Sequence, residues 1–311
     1  MGAYDNTIGV LLVGIIFNTY LYGLVTFQFI RYFQAKYDDA WIIKFMVLFL
    51  FVLDTVHSAS VIYLAWFYTV QNFSNPAALA IAFWPLVFTP IATALAAFAT
   101  QVFLGWRIWR LSKSTILFGV ILALAIPSLG LGFACGIKSW IIYYLAEFGQ
   151  IDSLVTSWLV MQVFVDTIIT TALTVILSRS RTGFRKTDSV INQLIRGAIQ
   201  TGLFAGLFSL GDLITFLRWP QTNLFGMFAI PIGRIYTNTL LDTLLSRREL
   251  REQMGNNSVN LESVHAYTPS HQRAPTSHAR SVNVDILKEV EVVTVYDGER
   301  DYTNGDVKGQ V

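Results

Sequence analysis

Six ionisable side chains fall inside long apolar stretches of this 311-residue sequence. A charged group in the hydrocarbon zone of a membrane helix costs about 2.5–3.5 kcal/mol on insertion scales, so it normally faces the interior of a helix bundle and finds partners. There it can pair with an opposite charge, relay a proton or bind a charged ligand. The six residues are Asp54, His57, Asp166, Asp212, Arg234 and Asp242.

Residues typical of catalytic and metal sites are scarce in the same stretches. Cys135 is the single cysteine, which excludes a two-cysteine metal site, and His57 is the only histidine there, which disfavours a three-histidine zinc hydrolase. A retinal protein needs a deep lysine, but the deep basic residue of the last stretch is Arg234. No Ser-His-Asp or paired-glutamate motif lies at one depth. We therefore predict no catalytic residue, metal or cofactor, and a protein that is not an enzyme.

Polar residues recur at helical spacing on five of the apolar stretches, so each of these has one polar face. Arg234, Asn238 and Asp242 share a face of the last stretch, with Arg234 at its midpoint. The other four faces carry Asp54, His57 and Ser58; Thr89, Thr93 and Gln101; Gln162, Asp166, Thr170 and Thr174; and Ser209, Asp212 and Thr215.

These faces predict a polar bundle interior. It is either a hydrated cavity that binds a ligand or passes an ion, or a buried network that fixes helix register. Arg234 can pair with Asp54, Asp166 or Asp212, and a ring of helices in chain order favours Asp212 or Asp54. The candidate polar-core or ligand residues are Asp54, His57, Gln101, Asp166, Asp212, Arg234 and Asn238, and the candidate cytosolic-face residues are Arg107, Arg110, Tyr236 and Asp242.

Seven stretches are long enough to cross a bilayer as helices, since about 20 apolar residues suffice. The fold class that follows is an all-α, seven-transmembrane-helix bundle over residues 1–251, with a disordered cytosolic tail over 252–311. The predicted spans are 8–30, 42–70, 81–106, 115–137, 153–178, 197–217 and 224–245.

Lys and Arg resist translocation, so their distribution over the loops gives the orientation. Fourteen of them follow spans 1, 3, 5 and 7, whereas only Lys138 and Arg218 lie on the opposite side. This predicts an outside N-terminus and a cytosolic C-terminus. Asn72 begins a glycosylation sequon in a loop on the predicted outer side. Span 1 has no cleavage signature and is expected to be retained as an anchor.

Composition supports a membrane protein, because 14% charged residues is about half the usual share. Residues 252–311 are acidic and rich in Ser, Asn and Pro, and we expect them to be disordered. Expected partners are the lipid bilayer, a small-molecule ligand, and a cytosolic protein bound through loop 179–190 or the tail. No nucleic-acid role is expected, and the predicted location is the plasma membrane or another secretory-pathway membrane.

Two function classes remain open. A receptor-like protein fits the odd number of spans, the outside N-terminus and the basic third cytosolic loop. A transporter or channel fits the polar interior, although no internal repeat is visible.

Several short motifs resemble one family. They include Leu53-Asp54-Thr55-Val56-His57 in span 2, Arg107-Ile108-Trp109-Arg110 after span 3, and Ile235-Tyr236-Thr237-Asn238 in span 7. The chain is similar to seven-span membrane proteins of basidiomycete fungi that carry domain of unknown function 6534, with the domain over 160–248 and a wider likeness over 1–251. At 244–247 the sequence Leu-Leu-Ser-Arg departs from the family's Leu-Asn-x-Arg.

The resemblance implies a fold, a fungal origin and a membrane location, but no activity. It singles out the positions that match the family motifs, which are Asp54, His57, Arg107, Arg110, Tyr236 and Asn238.

Overall fold

The protein is all-helical in the computed structural model, which describes residues 5–35, 37–73, 75–180, 185–219 and 222–265. This confirms the all-α prediction. Residues 1–262 form one compact unit, and 263–311 form a second, described only as far as His265. The helices are α1 (Val10–Gln34), α2 (Trp41–Trp66), α3 (Trp84–Ser112), α4 (Thr115–Ile142), α5 (Asp152–Arg179), α6 (Arg185–Arg218) and α7 (Leu224–His265).

Six of the described helices are long and apolar enough to cross a membrane. The chain is therefore a multi-pass membrane protein. These six regions correspond to the first six predicted spans and are Asp5–Gln34, Trp41–Gln71, Trp84–Ser112, Thr115–Ile142, Leu145–Arg179 and Ile195–Arg218.

Protein surrounds the part of helix α7 that carries Arg234. Every residue from 230 to 237 is buried, which is two full turns and so covers all sides of the helix. A helix shielded from lipid on all sides does not need an apolar surface. Its position among the other helices therefore accommodates the polar residues of this part.

Neighbouring helices in the chain pack against one another from α1 to α6, and α3 also packs on α5. Stacking of Phe17 on Phe208, at 5.6 Å between ring centroids, brings α1 and α6 together. Helix α7 lies against both of them, since Gly14 of α1 approaches Met227 and Gly211 of α6 approaches Phe228.

Two hydrophobic clusters fill the bundle, one in each half. The first includes Phe29, Leu50 and Leu244, and lies toward the end with the basic loops after α1, α3 and α5, which we call the basic end. The second includes Leu64 and Phe148 and lies toward the opposite end. On α1, α2, α5 and α6, buried polar residues such as Asn18, Asp54 and Gln162 lie between the two clusters, so a polar layer separates the two apolar ones there.

The opposite end is closed by its own loops. The backbone N–H of Ala82 donates to the carbonyl of Tyr143 (2.8 Å), and the Tyr68 hydroxyl donates to the carbonyl of Ile81 (2.8 Å). Phe67 stacks on Phe83 with 3.8 Å between centroids. These contacts join the α2–α3 loop to the start of the α4–α5 loop and cover the apolar cluster beneath them.

The last helix is longer than expected. It continues to His265, past the predicted start of the tail at residue 252. Residues 266–311 lie outside the described residues, and their predicted disorder stays a prediction.

Gly14 provides a test of the contact between α1 and α7. A Cβ at this position would lie 2.6 Å from the Cα of Met227, and backbone cannot yield as a flexible side chain does. We expect Gly14→Ala to lower the free energy of unfolding by about 1–3 kcal/mol, the usual cost of overpacking. The measurement is the melting temperature of the purified protein in detergent.

Gly23 is the matched control on the same helix, because a Cβ there meets nothing within 4 Å. Gly23→Ala should leave the melting temperature unchanged or raise it slightly, since alanine favours a helix. Equal melting temperatures for the two variants would contradict the close approach of α1 and α7.

Candidate functional site

Arg234 lies at the centre of a buried cluster formed with α2 and α3. Its guanidinium forms an ion pair with Asp54, and its Nη2 lies 2.6 Å from Nδ1 of His57. On the far side of the ring, His57 Nε2 lies 3.1 Å from the Thr89 hydroxyl. Arg234 is only 2% exposed and Asp54 is fully buried. We call Arg234, Asp54, His57 and Thr89 the Arg234 cluster.

The hydrogen bonds of the cluster fix the protonation of His57. A guanidinium only donates hydrogen bonds, so Nδ1 of His57 must accept and carries no proton. The single hydroxyl hydrogen of Thr89 is donated to the carbonyl of Pro85 (3.0 Å), so Thr89 accepts from His57 Nε2. His57 is therefore neutral, with its proton on Nε2, and it adds no charge to the ion pair.

Of the three aspartates that the sequence left open, the structure places Asp54 against Arg234. A bare guanidinium in this interior would cost several kcal/mol, which the carboxylate and the imidazole nitrogen offset. Asp54 Oδ2 and Arg234 Nε are buried without a hydrogen-bond partner. The ion pair therefore joins one oxygen of the Asp54 carboxylate to one terminal nitrogen of the Arg234 guanidinium.

A second network surrounds Tyr236 on the opposite face of α7. Residues two apart on a helix point about 200° apart, so Tyr236 faces α5 while Arg234 faces α2. The Tyr236 hydroxyl donates to Asp166, and it accepts from Gln162 Nε2 (2.9 Å). Gln101 Nε2 of α3 donates to the other oxygen of Asp166 (3.0 Å). Asp166 therefore has neutral donors on both oxygens.

A cavity of about 280 Å³ opens beside this network. It lies between α1, α3, α5, α6 and α7 and extends to residues near the basic end, such as Arg31 and Ser246. Tyr236, Asp166 and Gln101 form part of its wall. We call it the Tyr236 pocket.

Four predicted site residues line this pocket besides Gln101 and Asp166. Asn238 accepts from Gln28 Nε2 of α1 (2.8 Å), which ties α1 to α7. Arg107 and Asp242 also contribute to the wall, and Asp242 is exposed. The structure corrects one placement, because Tyr236 was expected at the cytosolic face and is instead buried in the polar interior. Its place near the middle of the predicted span 224–245, two residues from Arg234, could have shown this.

The remaining predicted residues lie apart from both networks. Arg110 lies over the ring of Trp106, at 5.3 Å from its centroid. Asp212 is buried on α6 and faces a smaller cavity. Asn72 follows α2, where its side-chain amide donates to the carbonyl of Phe67 (3.1 Å) and Ser74 of its sequon lies outside the described residues.

Two polar residues of α1 were missed by the polar-face analysis. Asn18 is fully buried and donates to Ser58 Oγ of α2 (3.4 Å), and Gln28 contacts α7 as described above. Span 1 has too few polar residues to form a continuous face, so the spacing rule did not find them. Two isolated amides in a mostly apolar span were the available signal.

Among the described residues, no group of three or more His, Cys, Asp and Glu could hold a metal ion. The two networks instead hold fixed hydrogen bonds and one ion pair. Chemically, this arrangement can position α7 and present donors and acceptors to a solute in the Tyr236 pocket.

The comparisons with known proteins identify one domain. The sequence profile of a family of unknown function (DUF6534) matches residues 162–249, which run from Gln162 in α5 into α7. This confirms the predicted domain of unknown function at 160–248. No curated protein matches the chain, and no solved structure matches it.

A charge exchange tests the Arg234–Asp54 pair. Arg234→Asp places two carboxylates together in the buried layer, and we expect loss of folded, surface-expressed protein because breaking a buried pair costs about 3–5 kcal/mol. Combining it with Asp54→Arg should restore folded protein in part. The measurement is the monodisperse fraction in fluorescence-detected size-exclusion chromatography.

The comparison variant combines Arg234→Asp with Asp212→Arg. Asp212 is also a buried aspartate, but the structure does not pair it with Arg234. Rescue by this combination, and not by Asp54→Arg, would show that the pairing is wrong.

Proposed function

We propose that this protein is a non-catalytic, ligand-sensing membrane protein that binds a small polar solute in the Tyr236 pocket. The observation that carries the proposal is that the pocket wall includes Tyr236, which lies on the turns of α7 that are buried on all sides. A solute bound there contacts α7. The same helix carries Arg234, and its Asn238 contacts Gln28 of α1.

The pocket suits a small solute that carries both charges or many hydrogen-bonding groups. Its volume is close to the lower end of the range for ligand pockets, about 300–1,000 Å³. The wall contains Arg31 and Arg107 as well as Asp166 and Asp242, with apolar side chains such as Leu104 between them. A mixed wall of this kind favours amino-acid-like or other zwitterionic solutes over purely apolar ones.

Binding rather than catalysis is supported by the state of Asp166. This carboxylate is the nearest candidate base, and it already accepts hydrogen bonds from Tyr236 and Gln101. The free thiol of Cys135 lies in the other cavity. The described wall therefore brings no activated nucleophile next to a base.

The route from pocket to cytosol runs along α7. Tyr236 and Asn238 contact α5 and α1 respectively, so a solute that prefers one position of α7 shifts how these helices meet at the basic end. A cytosolic partner would then bind the basic loop 179–190 or the tail. In this proposal the chain has seven spans, its basic end faces the cytosol, and it resides in the plasma membrane or another secretory-pathway membrane.

A thermal-shift screen of the purified protein tests the proposal. We expect a zwitterionic solute to raise the melting temperature in a saturable way, and Asp166→Asn and Tyr236→Phe to reduce that shift by removing the charge or the hydroxyl from the wall. Affinity should fall about tenfold or more, equal to about 1.4 kcal/mol.

Thr167→Val is the matched control on the same helix. Thr167 follows Asp166 directly but is exposed, and its hydroxyl bonds only to the carbonyl of Val163 (2.7 Å). Its ligand response should equal that of the unchanged protein. A shift that Asp166→Asn and Tyr236→Phe leave intact would place the solute elsewhere.

Transport is the second candidate, and one observation favours it. The Tyr236 pocket lies toward the basic end, whereas the loops described above close the opposite end. This is the arrangement expected of a transporter that is open on one side only. Uptake of the same solute into proteoliposomes separates the two functions, because a sensor binds without flux. Flux that Asp166→Asn abolishes and Thr167→Val preserves would establish transport.

A further inference from the structure

A smaller cavity, of about 50 Å³, lies in the half of the bundle opposite the Tyr236 pocket. Its wall combines residues of the second apolar cluster with a few polar side chains from four helices. These are Asp212 of α6, Thr89 and Thr93 of α3, Ser139 of α4 and Trp158 of α5. We call it the Asp212 cavity.

Asp212 is a buried carboxylate without a compensating group in the described part of the chain. Its residue is 4% exposed, and its carboxylate makes neither a hydrogen bond nor an ion pair with the described residues. An ionised carboxylate in such a place costs several kcal/mol unless something neutralises it. The guanidinium of Arg234 does not, because it pairs with Asp54.

Other polar atoms in the cavity wall also lack partners. The hydroxyl of Thr93 and the indole N–H of Trp158 are buried without a hydrogen bond to any described residue, and both residues are at most 5% exposed. Pro90 has no N–H, so the carbonyl of Leu86 one turn earlier loses its helical donor. Leu86 and Pro90 both line the cavity. The unsatisfied groups thus gather around one space.

We propose that the Asp212 cavity binds a monovalent cation, with the Asp212 carboxylate as its counter-charge and the Thr93 hydroxyl and Leu86 carbonyl as further oxygen ligands. One carboxylate and one positive charge make the site neutral, as a low-dielectric interior requires. A divalent ion would leave a net charge and needs more carboxylates than the cavity offers.

The size of the cavity fits this occupant. A buried water needs a cavity of about 10–15 Å³. The Asp212 cavity, of about 50 Å³, therefore has room for an ion with one or two waters. The indole N–H of Trp158 cannot ligate a cation, but it can donate to the carboxylate or to such a water.

Thr89 connects the site to the Arg234 cluster. Its hydroxyl accepts from His57 and also borders the Asp212 cavity. Occupancy of the cavity therefore acts on a residue that holds His57 against Arg234. The cation stabilises the closed, packed arrangement of α3, α6 and α7.

The experiment measures the melting temperature of the purified, full-length protein in sodium, potassium or choline chloride at constant ionic strength. We expect a saturable rise with sodium that choline does not give. Asp212→Asn should abolish the rise, because it removes the counter-charge with little change of shape. Ser209→Ala is the matched control, a buried polar residue of the same helix that does not line this cavity, and should keep the rise.

Thr93→Val keeps the proposal testable if Asp212→Asn does not fold. It removes one oxygen ligand and should weaken the apparent sodium affinity about tenfold or more. Repeating the titration at pH 9 removes competition by protons at the carboxylate. Equal melting temperatures in sodium, potassium and choline at both pH 7 and pH 9, or a sodium effect that survives Asp212→Asn, would overturn the proposal.

Discussion

The burial of one guanidinium, that of Arg234, organises this bundle. A charge at this depth must be kept from lipid and must meet a carboxylate. The protein meets both conditions by enclosing α7 among the other helices and by placing Asp54 and His57 of α2 against it. The neutral state of His57 follows from the same contact, since a protonated ring would add a second positive charge beside the first.

Because other helices surround α7, each of its faces contacts a different helix. One face pairs with α2, the opposite face carries Tyr236 to Asp166 and Gln162 of α5, and Asn238 contacts α1. The two cavities lie in different halves of the bundle and share this helix as a wall. Helix α7 thus lies between a solute pocket toward the basic end and a smaller polar cavity toward the other. This geometry supports both proposals, because each places a ligand against a helix that contacts most of the bundle.

Much of the fold could be predicted from the sequence because the helices are read from local patterns. The observed bounds of α5, Asp152–Arg179, differ by one residue at each end from the predicted span 153–178. From the sequence, the choice of partner for Arg234 could be narrowed only to three aspartates. Residue spacing shows which side chains share one face of a helix, but not which other helix that face contacts. Tyr236 was placed too near the surface because its position was judged from the motif around it rather than from its distance to Arg234. The useful signal was the arginine in the middle of the predicted span 224–245, since such a charge must be enclosed by protein.

The buried position of α7 also bears on the order in which the bundle forms during synthesis. This helix follows all of its partners in the chain, so α1 to α6 are made before it, and these six are apolar enough to enter a bilayer independently. Helix α7 carries Arg234 in the middle of the predicted span 224–245, which opposes insertion, so we expect α7 to dock into a groove that the earlier helices have already formed. Until it docks, Asp54 and His57 face that groove without their guanidinium. We therefore expect membrane insertion and completion of the fold to be separate events, the second being the docking of one helix.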